Sequence, residues 1–106
     1  MIDALVRVQA WTAGSTRQSL EGDEMLAAAV IRCLEVAGEG AKAVSSETRA
    51  MDNEIPWKSI AGFRDVVIHQ YFRVDLDAVW DIVTALAPEL EKRVRTLLAQ
   101  LKAQDP

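Results

Sequence analysis

Cysteine is all but missing from this chain, with Cys33 alone among 106 residues. One thiol closes no intramolecular disulfide, so folding does not depend on an oxidising compartment, and zinc sites built on paired cysteines are excluded. Only three prolines and five glycines are present, which rules out collagen-like repeats and long flexible linkers. Long apolar runs are missing too. The longest, from Met25 to Ile31, falls far below the ~18 residues that a membrane span requires. Asp3 stands where a secretory signal would carry Lys or Arg ahead of an apolar segment, so a cytoplasmic location is the expectation. Repeats and low-complexity tracts are absent as well.

What remains is globular in composition, 50% apolar and 26% charged, at a length suited to one domain over residues 1–106. The formal net charge of −4 and pI of about 4.9 oppose a general basic coat for nucleic acid, because such binding rests on phosphate neutralisation by Lys and Arg. The charge is uneven, however. From Pro56 to Arg73 stand Lys58, Arg64 and Arg73 against Asp65, a local excess of +2 that leaves −6 for the rest of the chain. An anion site should therefore be local.

Apolar spacing reads as helical throughout. Ile2, Leu5, Val6, Val8 and Trp11 mark a first helix over about 2–12, stopped by Thr12-Ala13-Gly14-Ser15. Leu26, Val30, Cys33 or Leu34, Ala37, Ala41 and Val44 mark a second over 22–44, with Asp23 and Glu24 suited to its positive N-terminal end. Gly38 and Gly40 each cost this helix about 1 kcal/mol relative to Ala, so close packing is the expected reason for them. Ser45, Ser46 and Glu47 suit a short capped turn before the loop at Asp52-Asn53. Pro56 suits a helix start, and 60–72 reads as a third helix. Asp75 is a good N-cap for a stripe of Leu76, Val79, Trp80, Val83 and Leu86, which Pro88 should kink or split before Leu90, Val94, Leu97, Leu98 and Leu101 continue it. No strand-like alternation of useful length appears, and an all-α bundle of four to five helices is the fold class expected.

The only histidine lies in Phe63-Arg64-Asp65-Val66-Val67-Ile68-His69-Gln70-Tyr71-Phe72. On a helix with about 100° per residue, Arg64 and Tyr71 share a face, whereas His69 lies about 140° from Arg64 and about 40° from Asp65. Arg64 with Tyr71 would face an anion, and Asp65 could orient the His69 ring. Such groups on an apolar helix are costly to bury unless paired, and two readings follow: a structural salt-bridged face, or a site in a polar cleft or interface.

Arg64, four residues, His69, one residue and Tyr71 resemble the Arg-x4-His-x-Tyr motif of HepT-like toxins, the HEPN-domain members of type VII toxin–antitoxin modules. Gly38-Glu39-Gly40-Ala41-Lys42, Glu54-Ile55-Pro56-Trp57, Ile60-Ala61-Gly62-Phe63-Arg64-Asp65 and Val74-Asp75-Leu76-Asp77-Ala78-Val79-Trp80 are similar to stretches of that family in the same order. The resemblance is close over 38–80 and looser over most of the chain. It implies a helical bundle that pairs as a homodimer, with the Arg and His of both subunits at a shared cleft where RNA is cut without metal. It also implies a nucleotidyltransferase antitoxin (MNT) that uses ATP and Mg²⁺ to transfer AMP to the motif tyrosine, here Tyr71. The chain itself is expected to hold no cofactor and no metal.

The implied chemistry suits these side chains. A histidine titrating near neutrality can take the proton from a ribose 2′-OH, and Arg64 can hold the phosphate it attacks. With His69 and Arg64 about 140° apart on one helix, a two-fold dimer would bring one subunit's His69 toward the other's Arg64. The competing reading is a non-catalytic helical dimerising or nucleotide-binding partner of a nucleotidyltransferase, which needs no ionisable ring at position 69. Among the other residues, Trp57, Phe63, Phe72 and Trp80 read as core, and Cys33 as an inert buried thiol. Lys92, Arg93 and Arg95 read as a solvated face balanced by Glu89 and Glu91. Asp23, Asp75 and Asp77 do not converge on a metal site.

Overall fold

A computed structural model describes residues 1–63, 65, 68–69 and 73–104, with the backbone alone at 68–69 and 73–74. The fold is all-α. It comprises α1 (Ile2–Thr12), α2 (Arg17–Gly22), α3 (Glu24–Ala43), α4 (Ser46–Ala50), α5 (Trp57–Ala61), α6 (Leu76–Asp81), a π-helical turn (Ile82–Leu86) and α7 (Ala87–Gln104). Between α5 and α6, two two-residue strands, β1 (Ile68–His69) and β2 (Arg73–Val74), pair antiparallel.

Capping chemistry sets several of these boundaries. Thr16 accepts from the Ser19 N–H while Ser19 returns a bond to the Thr16 N–H, a reciprocal cap that starts α2, a helix too short for its apolar spacing to show. Asp23 is the N-cap of α3 rather than part of it, accepting from the Leu26 N–H at 3.0 Å. At the other end of α3, the Arg49 guanidinium donates to the Ala41 carbonyl at 2.9 Å, an acceptor it shares with the N–H of the C-cap Val44 at 3.3 Å. Ser45 caps the short α4, in agreement with the expected turn.

α3 is the central element, with α1, α2 and α5 packed on it, while α7 closes against α1. The core runs through Leu5 and Val8 of α1, Val30, Leu34, Ala37 and Ala41 of α3, Ile60, Phe63, Val79 and Leu90. Each large side chain fully buried there contributes roughly 1.5–3 kcal/mol. Gly38 allows the closest approach: a Cβ at this position would lie 2.9 Å from the Ile60 carbonyl oxygen, so the expected packing role holds and α5 rests directly on the α3 backbone.

Three sequence expectations change. α1 buries Ala4, Leu5, Val8 and Thr12, a stripe rotated from the one expected, which leaves Val6 and Trp11 exposed. Of the kink or split expected at Pro88, the split does not occur. The turn ahead of it widens to π geometry so that the Ala87 N–H reaches the Ile82 carbonyl, five residues back, immediately before the residue that lacks a donor. The third correction matters most for function. Residues 60–72 are not one helix: α5 ends at Ala61 with Gly62 as its C-cap, and Ile68 and His69 pair with Val74 and Arg73. Val66-Val67-Ile68 is a β-branched run with stiff χ1 angles, and Tyr71-Phe72-Arg73-Val74 is rich in strand formers, a composition that outweighs the helical spacing of the apolar positions.

Candidate functional site

The motif segment spans the short elements between α5 and α6 and is anchored at both ends. On its N-terminal side Pro56 is the N-cap of α5, where its missing donor costs nothing, and the Ile60 N–H bonds the Pro56 carbonyl at 3.0 Å. Trp57 is buried with its indole N–H on the Asp52 carbonyl at 3.1 Å, and Phe63, 2% exposed, fixes the chain one residue before Arg64. On the C-terminal side Asp75 caps α6 by accepting from the Ala78 N–H at 3.0 Å. The ladder between them sets His69 opposite Arg73 as Cα partners.

Arg64 and Tyr71 lie outside the described residues, as does Phe72, and His69 is placed by its backbone alone. Asp65 is exposed, its N–H bonded to the Gly62 carbonyl at 3.0 Å. The helical angle between Asp65 and His69 does not apply, because His69 lies in β1, and the angles that involve Arg64 or Tyr71 fall outside the described residues. In their place the fold supplies a pairing that helical spacing could not reveal: Arg73, counted in sequence only as part of the basic strip, is the backbone partner of His69. The strand-forming composition around it was the available signal. Lys58, on α5, is exposed at the near end of the same strip.

The remaining candidates settle into structural roles. Trp57 and Phe63 are core and Trp80 is half-buried. Cys33 is 7% exposed, and burial pushes its thiol up despite the opposing fields of Arg7 and Arg32, which keeps it protonated and unreactive. Arg93 is no solvated point on a helical face. It bonds the Asp52 carboxylate at 3.2 Å, Glu54 at 3.0 Å and Glu89 at 3.3 Å, tying α7 to the loop that leads into α5. Arg95 pairs with Glu91 at 2.8 Å, and Gln9 of α1 donates to the same carboxylate at 2.8 Å. Those hydrogen bonds, Arg95's first, hold the Glu91 carboxyl below its ordinary range. Among the described residues no group of His, Cys, Asp and Glu is placed to hold a metal ion, and no helix is long and apolar enough to cross a membrane.

Comparison with known proteins decides the family. The family model described as "Ribonuclease HepT-like" matches residues 1–97. The chain belongs to the HepT-like ribonuclease family. It is 41% identical over 80 residues to a candidate RNase of Caldanaerobacter subterraneus, 40% identical over 77 residues to one of Methanocaldococcus jannaschii, and 39% identical over 69 residues to a candidate ribonuclease HepT of Thermococcus cleftensis. These alignments cover 76%, 73% and 65% of this chain, and 71%, 64% and 63% of the relatives' own lengths. No solved structure gives a significant match.

Proposed function

We propose that this HepT-like chain is a metal-independent endoribonuclease, the toxin of a toxin–antitoxin module, and that it acts as a homodimer. The observation that carries the reading is the conjunction of family membership with the Arg64-x4-His69-x-Tyr71 pattern, set in a segment whose two ends are fixed by buried Phe63 and the Asp75 cap.

In this reaction His69 takes the proton from a ribose 2′-OH, and the freed oxygen attacks the adjacent phosphorus. The bond from phosphorus to the 5′ oxygen breaks, that oxygen receives a proton from an imidazolium, and a 2′,3′-cyclic phosphate is left. Arg64 holds the non-bridging oxygens as charge grows on them, with Lys58 and Arg73 adding to the local positive field in an otherwise acidic chain. Asp65 supports the site by orienting the imidazole. Pairing of two copies gives the cleft an Arg and a His from each subunit.

Neutralisation follows from the tyrosine. A partner nucleotidyltransferase of the MNT type, supplied with ATP and Mg²⁺, transfers AMP to the Tyr71 hydroxyl, releasing pyrophosphate. The adduct places a phosphodiester anion two residues from His69, where it competes with substrate phosphate for the same cations.

The test is cleavage of labelled RNA by purified protein, with and without EDTA, with analysis of the product ends. Cyclic phosphate ends, insensitivity to chelation and loss of cutting in His69→Ala are expected. Undiminished cutting by His69→Ala, or products with 3′-hydroxyl ends, would overturn the mechanism. For the antitoxin step, incubation with the partner, ATP and Mg²⁺ should add AMP mass at Tyr71, and Tyr71→Phe should resist silencing.

A further inference from the structure

Away from the motif, α1 and α3 enclose a cleft of about 410 Å³ lined by Ala4, Arg7 and Trp11 of α1 and by Ala29, Arg32, Cys33 and Val36 of α3. Its composition is unusual for the surface of an acidic chain. Trp11 is 45% exposed and Val36 40% exposed, so an indole and an aliphatic side chain border the opening instead of joining the core. Arg7 and Trp11 are one helical turn apart and therefore share a face of α1. Arg7 is exposed and makes no ion pair with any described residue, while Arg32 reaches Glu35 only at 3.6 Å, beyond hydrogen-bond distance. Arg7 and Arg32 line the cleft from separate helices, with the buried Cys33 and Ala4 on its floor. Two guanidiniums at one apolar cleft favour an anion there.

We propose that this cleft is an accessory RNA subsite, in which Trp11 stacks a base of single-stranded RNA and Arg7 and Arg32 hold the adjacent phosphate. The assignment rests on the ribonuclease reading of the motif and extends it to a second place on the chain. An exposed indole offers a flat apolar surface that any base can cover, and guanidiniums take phosphate oxygens in pairs. The cavity lies within the roughly 300–1,000 Å³ span of small-ligand sites, large enough for a nucleotide. α3 also joins the subsite rigidly to the catalytic frame. Arg32 lies six residues from Gly38, the seat of α5, or about 9 Å along the helix axis, so a strand entering the motif cleft would have further nucleotides to place nearby.

The experiment measures binding of a fluorescein-labelled octa-adenylate by anisotropy over a salt series, in a His69→Ala background that cannot consume the probe. Trp11→Ala should weaken binding about tenfold and Trp11→Phe should restore most of it. Arg7→Gln and Arg32→Gln should each weaken binding and flatten the dependence of log K on log salt by roughly 0.7. These three positions are at the surface, so helicity by circular dichroism should be unchanged. If the parent cuts RNA while all four substitutions leave affinity and salt slope unaltered, the subsite is overturned and the ribonuclease reading stands. If the parent neither binds nor cuts RNA, both fall together. If sedimentation shows Trp11→Ala converting a dimer to a monomer, the cleft is a contact between copies, and its assignment to RNA is overturned.

Discussion

Gly38→Ala and Gly40→Ala form a matched pair whose outcomes should differ in sign. Both glycines lie inside α3, where replacement by Ala improves helix propensity by about 1 kcal/mol. At Gly38 the new Cβ would sit 2.9 Å from the Ile60 carbonyl oxygen, a backbone atom of α5 that moves only if the whole short helix moves. Overpacking of that kind costs about 1–3 kcal/mol, so the net effect is a loss of about 1 kcal/mol. At Gly40 the nearest atom is the Met1 Cβ at 3.3 Å, so a shift of a few tenths of an ångström makes room and most of the propensity gain should survive. Urea unfolding followed by circular dichroism reads both: at a slope of about 2 kcal/mol per molar, the Gly38 variant should unfold about 0.5 M earlier and the Gly40 variant somewhat later than the parent. Gly38→Ala should also lower RNA cleavage under conditions where it is fully folded, because α5 holds the chain that continues through Phe63 to the motif. Midpoints shifted equally and in the same direction would refute the argument that α5 is seated on the backbone of α3.

Other consequences are more direct. Arg64→Ala and His69→Ala should each abolish RNA cleavage with a change in unfolding midpoint smaller than that of Gly38→Ala; a loss of stability equal to the loss of activity would make these residues structural. Glu91 has a lowered carboxyl value in the folded state, so its contribution is complete above the ordinary carboxylate range and fades as pH falls through the lowered value; Glu91→Gln should remove part of the acid sensitivity of unfolding. Asp75→Ala should cost about 1 kcal/mol by loss of the α6 cap, read as an earlier thermal midpoint. Cys33 should resist a thiol reagent in the native protein and react fully in denaturant; rapid native labelling would contradict its burial.

Where apolar positions recur over several turns, helical spacing alone located the elements: α1 agrees with the expected 2–12, and α3 lies within the expected 22–44. Caps were legible as chemistry, Asp75 and Ser45 among them, because one short side chain satisfies a specific N–H. What escaped was decided at shorter range or by the partner surface. α2 is six residues long and is started by a Thr-Ser reciprocal cap, too little for periodicity to detect. Trp11 counts as apolar in any stripe, and only the rotation of α1 on α3 puts Ala4 and Thr12 inside and the indole outside. In the motif segment two signals conflicted, helical spacing of apolar residues against a β-branched run, and the strand pairing prevailed over 68–69 and 73–74. The residue types proposed for the site, Arg64, Asp65, His69 and Tyr71, come from the sequence, while the placement of His69 opposite Arg73 could not be read from it.

That placement has a consequence for how the site is built. A two-stranded ladder with two residues on each side is marginal by itself in water, since so few hydrogen bonds must offset the ordering of the chain they join. Its geometry must be imposed by what surrounds it. Within one chain the support comes from the two ends, Phe63 in the core and Asp75 at the α6 cap, which lie 12 positions apart in sequence. In the proposed dimer the second copy supplies further walls, so pairing would order the reacting groups as well as doubling them. The control step proposed above would draw on the same division: AMP on Tyr71 would add a bulky anion to the stretch between Phe63 and Asp75, outside the helical core that carries stability.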